Sequence, residues 1–149
     1  MRPSKYETYM EIAKMWAKQS TCSARVAVGA VIVNKFGQVI ASGYNGSPRG
    51  HPHCDEVGCD LDALGHCKRA IHAELNAILQ CARVGVSCDD CFIYITHSPC
   101  PRCSLMIAQS GIIRVVYDNQ YGDLTDSSDI LAVSRIPMVP FVKEVGWTS

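Results

Sequence analysis

The stretch Cys91-Phe92-Ile93-Tyr94-Ile95-Thr96-His97-Ser98-Pro99-Cys100-Pro101-Arg102-Cys103 decides how this chain must be read. Cys91 to Thr96 is a short β-rich run, and the two prolines that follow end it. Pro101 suits the first turn of a helix, where its missing N–H has no intrahelical partner to lose. The helix then runs from Pro101 to Gln109 and stops at Gly111. Ile112 to Tyr117 is the next strand. Strand, helix and strand in direct succession are the working unit of a layered α/β domain with a central sheet.

To the N-terminal side, Tyr6 to Lys18 reads as a helix, with Tyr9, Ile12, Ala13 and Trp16 at helical spacing. Val26 to Val33 is an apolar strand that turns at Asn34-Lys35-Phe36-Gly37 into a second strand, Gln38 to Ser42, so the pair forms a hairpin. Gly43 to Asp60 is rich in Gly, Pro, His and Cys and reads as loop. Ala70 to Cys81 returns to helix, with Ile71, Leu75, Ile78 and Leu79 on one side. Asp126 to Val133 suggests a short helix and Val139 to Val145 a last strand. Residues 1–149 are one domain of ordinary size, with a Cys/His-rich insertion around 50–68.

Fourteen basic and fourteen acidic residues cancel, so the chain lacks the basic surplus of a protein that binds a nucleic acid polymer. Met1 to Glu7 has no apolar core of a secretory signal, and the run Val26–Val33 is too short to span a membrane. A cytoplasmic protein is therefore expected. Nine cysteines are many for this length, and an odd number cannot all pair. In a reducing compartment, Cys and His clustered in this way point to metal.

His72-Ala73-Glu74 at one helix start and Cys100-Pro101-Arg102-Cys103 at another supply one imidazole, two thiolates and one carboxylate. His72, Cys100 and Cys103 fill three zinc positions and leave the fourth open, which marks a catalytic rather than a structural ion. Helix N-termini favour thiolate over thiol. Glu74 is left over as the proton carrier. A rival reading pairs Cys88 and Cys91 with Cys100 and Cys103 as a four-cysteine structural site in a binding module. It leaves His72 and Glu74 unused and spends Cys91, which opens an apolar strand.

His72-Ala73-Glu74-Leu75-Asn76-Ala77-Ile78, Ser98-Pro99-Cys100-Pro101-Arg102-Cys103 and Gly43-Tyr44-Asn45-Gly46-Ser47-Pro48 together closely resemble the deoxycytidylate (dCMP) deaminases of the cytidine deaminase superfamily. The resemblance runs from about Lys5 to Tyr117. It implies an α/β fold of three layers, α/β/α, around a mixed five-stranded sheet. It implies deamination of dCMP to dUMP and ammonia for thymidylate synthesis, with Zn2+ activating a water for attack on C4 of cytosine. Glu74 would carry protons to ring N3 and to the leaving amine. The nearest alternatives are superfamily enzymes acting on a free nucleoside or on tRNA.

The same resemblance implies a homo-oligomer, often a hexamer, with dCTP as activator, dTTP as inhibitor and Mg2+ accompanying the regulatory triphosphate. Gly43, Tyr44, Asn45 and Gly46 are the regulatory candidates, and Asn45 aligns with a residue that contacts the substrate sugar. A monophosphate needs a cationic cradle, for which Arg25 and Arg49 lead Lys68 and Arg69. Some relatives carry a second, structural zinc. Cys22 and Cys54 match its first two ligands, and the other two come from Cys59, His66 and Cys67. Adjacent residues rarely reach one ion together, so Cys59 pairs with either His66 or Cys67. Reduced, metal-free thiols are the alternative.

Overall fold

The computed structural model describes residues 1–142. Its elements run α1 (Lys5–Ala17), β1 (Gly29–Val33), β2 (Val39–Tyr44), α2 (Cys54–Val57), α3 (Ala73–Val84), β3 (Phe92–His97), α4 (Pro101–Ser110), β4 (Arg114–Asn119), α5 (Thr125–Val133) and β5 (Met138–Pro140). The strands form one sheet in the order β2-β1-β3-β4-β5. β1 lies antiparallel to both β2 and β3, while β3, β4 and β5 are mutually parallel.

The sheet is covered on both faces, and the period-2 alternation of β1 shows how. Ala30 and Ile32 pack with Ala73 and Ala77 of α3 and with Ile107 of α4. Val31 and Val33 pack on the other face with Tyr9, Met10 and Ala13 of α1. A strand covered on both sides must be apolar at every position, and all five residues of β1 are buried. The neighbouring pair Val115 and Val116 of β4 divides between the two cores in the same way. The fold is the expected three-layer α/β/α arrangement around a mixed five-stranded sheet.

Two glycines let helices press onto the hairpin at one end. A Cβ at Gly29 would fall on the Ala13 carbonyl of α1, and one at Gly43 would fall on the Ala73 carbonyl of α3. The first turn of α3 is thereby seated directly against β2. Asn76 completes the seat, its amide donating to the carbonyls of Tyr44 at 2.7 Å and Ile71 at 3.3 Å.

The first strand begins later than its apolar run predicts, at Gly29 rather than Val26. The Asn45 side chain captures the preceding segment, accepting from Val28 N at 2.8 Å and donating to Val26 O at 3.2 Å. Those peptide groups are satisfied by a side chain and have no strand to pair with. The region after Gly43 holds a single turn of helix, α2, and a small hairpin bridged at Leu61 and Cys67. Asp62 fixes that hairpin by accepting from the amides of Leu64 and His66. The last expected strand, Val139 to Val145, is present as Met138–Pro140, and its end from 143 onward lies outside the described residues.

Candidate metal centre and substrate cavity

His72 is the N-cap of α3 and Cys100 the N-cap of α4, so two helix starts deliver the ligands to one end of the sheet. Around Cys100 the chain is locked from three sides. Pro101 opens the helix, Ser98 N donates to Asn119 O at the end of β4, and Ser127 Oγ of α5 donates to Pro99 O at 2.8 Å. His72 Nδ1 lies 3.6 Å from Cys100 Sγ and 3.4 Å from Cys103 Sγ. A tetrahedral zinc with ordinary Zn–N and Zn–S bonds sets such N···S edges at about 3.6 Å. The donor set and its spacing therefore fit zinc, with His72 binding through Nδ1.

The Cys100–Cys103 thiol pair titrates asymmetrically. A hydrogen bond from Cys103 pulls Cys100 down to about 4, and the same bond together with burial pushes Cys103 well up. His72 is raised, first by its bond to Cys100. Glu74 is 4 % exposed, and burial lifts its carboxyl to about 7. A carboxyl poised near neutrality can both take and give a proton at physiological pH.

His72, Glu74 and Cys100 line a cavity of about 110 Å³ together with Arg25, Asn45, His97 and Tyr121, while Cys103 is buried. Arg25 reaches across it to the Tyr121 hydroxyl, with the guanidinium 5.9 Å from the ring centre. The Asn45 amide, spent on Val26 and Val28, retains one N–H and one lone pair. Arg49 is not part of this cavity. It lines a separate depression with Asn76, Leu79, Gln80, Arg83 and Val84. His97 and Tyr121, which sequence reasoning did not single out as site residues, follow or end parallel strands. The C-terminal edge of such strands is where α/β sheets collect ligand-binding groups, so their position is the signal that could have found them.

Of the four residues expected to bind an effector, two have packing roles. Gly43 accommodates α3, and Tyr44 stacks on Trp16 with ring centroids 5.9 Å apart.

Cys22, Cys54, Cys59 and Cys67 form a second cluster, with all four sulfurs within 4.8 Å of one another. Cys22 and Cys59 are 3.9 Å apart, and Cys54 and Cys67 are 3.6 Å apart. A Zn–S tetrahedron has edges of about 3.8 Å, so these residues also fit the ion. The choice left open between His66 and Cys67 falls on Cys67. His66 instead turns its Nδ1 to Asp62 at 3.4 Å. The rival four-cysteine site does not form. Cys88 and Cys91 lie at the far end of β3, about 20 Å of strand from Cys100, and Cys91 is buried in the core with Cys81.

The family model for the cytidine and deoxycytidylate deaminase zinc-binding region matches residues 3–119. ComE operon protein 2 of Bacillus subtilis is 48 % identical over 113 residues, 76 % of this chain and 58 % of its own length. The deoxycytidylate deaminase of Schizosaccharomyces pombe is 35 % identical over 148 residues, 95 % of this chain and 45 % of its own. The chain thus spans about half the length of these curated relatives. Among solved structures, the dCMP deaminase of cyanophage S-TIM5 in complex with dCMP and dUMP superposes with a TM-score of 0.80 at 38 % identity, over 94 % of this chain and 98 % of that one.

Proposed function

We propose that this chain, which belongs to the cytidine and deoxycytidylate deaminase family, hydrolyses dCMP to dUMP and ammonia. The observation that carries the reading is the meeting of His72, Cys100 and Cys103 at zinc-ligand spacing beside a buried carboxyl, at a cavity that Arg25 also lines. The similarity to proteins named deoxycytidylate deaminases, one solved with dCMP and dUMP, supports the choice of substrate. Zinc, when bound by His72, Cys100 and Cys103, supplies an activated water.

Glu74 would take one proton from the attacking water and give it to ring N3, then take the second from the oxygen bonded to C4 and give it to the amine, which leaves as ammonia. Its burial suits it to both transfers, because a carboxyl near pH 7 is ready in either form. Arg25, steadied by Tyr121, is the cation for the 5′-phosphate. Asn45 offers its remaining amide hydrogen and lone pair to a sugar hydroxyl. Cys22, Cys54, Cys59 and Cys67 hold a second, structural zinc that orders an otherwise poorly packed loop. The product dUMP feeds thymidylate synthesis. Among the described residues, no helix is long and apolar enough to cross a membrane.

Self-association is part of the reading, and exposed Leu79, Leu105 and Met106 on the contacting helices α3 and α4 support it. Regulation by dCTP and dTTP with Mg2+ is the finer part. The test is ammonia release by the zinc-loaded protein from dCMP, deoxycytidine and a tRNA anticodon stem-loop, each with and without dCTP and Mg2+. Release from dCMP alone supports the reading, and a dCTP response adds the regulation. Silence on dCMP from folded, zinc-loaded protein overturns the reading.

A further inference from the structure

The segment Thr21 to Val28 carries Arg25, which lines the cavity, yet has no helix or strand of its own. Among the described residues, no backbone–backbone bond of the loops reaches Thr21 to Ala27. Side chains hold it instead, at two ends. After Arg25, the Asn45 amide grips Val26 and Val28. Before Arg25, the attachments lead to the Cys/His-rich loop. Cys22 Sγ is 3.9 Å from Cys59 Sγ, Ser23 Oγ is 3.8 Å from the same sulfur, and Thr21 Oγ1 is 3.2 Å from His53 Nδ1. Cys22 and Cys67 belong to the four-thiol cluster and also form part of the cavity wall, whereas Cys54 and Cys59 stand behind it.

We infer that the four-thiol cluster is a positioning device for Arg25, and through it sets the affinity of the cavity for a nucleoside monophosphate over the bare nucleoside. The inference rests on the reading of dCMP as substrate. Arg25 is exposed on a long flexible side chain, so its reach to a phosphate depends on where its backbone is fixed. With the sulfurs held on one ion, Cys22 cannot move and Arg25 stays clamped between two anchors. Without the ion, four reduced thiols attract one another only weakly, and the anchor before Arg25 is reduced to the Thr21–His53 bond. The arginine is then held firmly at one end alone, by Asn45. Arg25 is here the phosphate contact, and the cysteines act through it.

The test is equilibrium binding, which needs no turnover. Calorimetry of dUMP and of deoxyuridine is compared in the zinc-replete wild type and in Cys59→Ser, which removes a cluster ligand outside the cavity. The dUMP-to-deoxyuridine affinity ratio is expected to fall about tenfold, within the range of ordinary site-to-site coupling. Cys59→His, which restores a zinc ligand, is expected to recover it, and Arg25→Ala to lower it no further when combined with Cys59→Ser. Coupling is reciprocal, so a second readout uses the wild type alone. There dUMP, but not deoxyuridine, should slow loss of the second zinc to a chromogenic chelator, and Arg25→Ala should abolish that protection.

A Cys59→Ser protein that has lost its second zinc and keeps the wild-type ratio overturns the inference, as does zinc retention indifferent to dUMP. Wild-type protein that binds neither ligand and releases no ammonia from dCMP overturns the functional reading and this inference with it.

Discussion

Two clusters of soft ligands lie on either side of one cavity, and the fold treats them in opposite ways. His72, Cys100 and Cys103 are held by the frame. Each is at or within the first turn of a helix packed on the sheet, and Gly43, Asn76, Ser98 and Ser127 fix those helix starts from several directions. Cys22, Cys54, Cys59 and Cys67 are joined by a four-residue helix, a small hairpin and a strandless segment with little apolar surface to bury. The first is a site the fold makes for an ion. The second has the ligand spacing without the frame, so an ion bound there would order the loop.

The two clusters part most clearly where chemistry is separated from metal. Glu74→Gln is expected to lower turnover of dCMP by about 10²- to 10⁴-fold while zinc per chain, read by mass spectrometry, stays at the wild-type value. Retained turnover would remove Glu74 from the proton path.

A pH effect comes next, at the buried carboxyl that stands beside the first cluster. Glu74 ordinarily titrates at 4.5 and is raised to about 7 by burial. The metal-free folded chain therefore keeps a proton there that the unfolded chain has released. Stability from this group is full below pH 4.5 and is lost as pH rises through about 7, a change of about 3 kcal/mol. The loss is read as the difference between wild type and Glu74→Gln in urea unfolding of zinc-stripped protein at pH 5 and pH 8, because Cys100, lowered to about 4, and Cys67, lowered to about 7, change stability in the opposite sense over that range.

Gly43→Ala strikes the frame of the first cluster only. Its Cβ falls on the Ala73 carbonyl and comes within 2.7 Å of the Ala77 amide, so α3 must shift. Such overpacking costs about 1–3 kcal/mol, readable as a lower Tm, and zinc affinity should weaken at His72 while the four-thiol cluster keeps its ion. The smallest effect is expected for Cys88→Ser, below about 1 kcal/mol, with no loss of either zinc. Release of metal by Cys88→Ser would revive the four-cysteine site that the length of β3 excludes.

Both clusters were legible in the sequence because ligand chemistry resides in residue type: only His, Cys and carboxylates bind zinc, and their spacing survives folding. What was not legible was decided by contacts distant in sequence. The choice of Cys67 over His66 depends on the hairpin register, which aims one residue at the cluster and gives the next to Asp62. Val26 to Val28 read as strand by every local criterion, and only the Asn45 side chain makes them a cavity wall. Arg49 had the right charge and a neighbourhood rich in motif residues, yet charge alone does not say which depression a side chain lines. A layered α/β domain with a central sheet followed from the alternation of strands and helices, where local and global signals agree, whereas the three layers and five strands came from the family resemblance.

The ligand positions also carry a consequence for the topology of the chain. An ion on the four thiols would close the ring from Cys22 to Cys67, and one on the first cluster the ring from His72 to Cys103. The rings follow one another along the chain and neither threads nor encloses the other. Each cross-link removes loop entropy from its own stretch of unfolded chain. Either ion could therefore be inserted first, and losing one would leave the other ring closed.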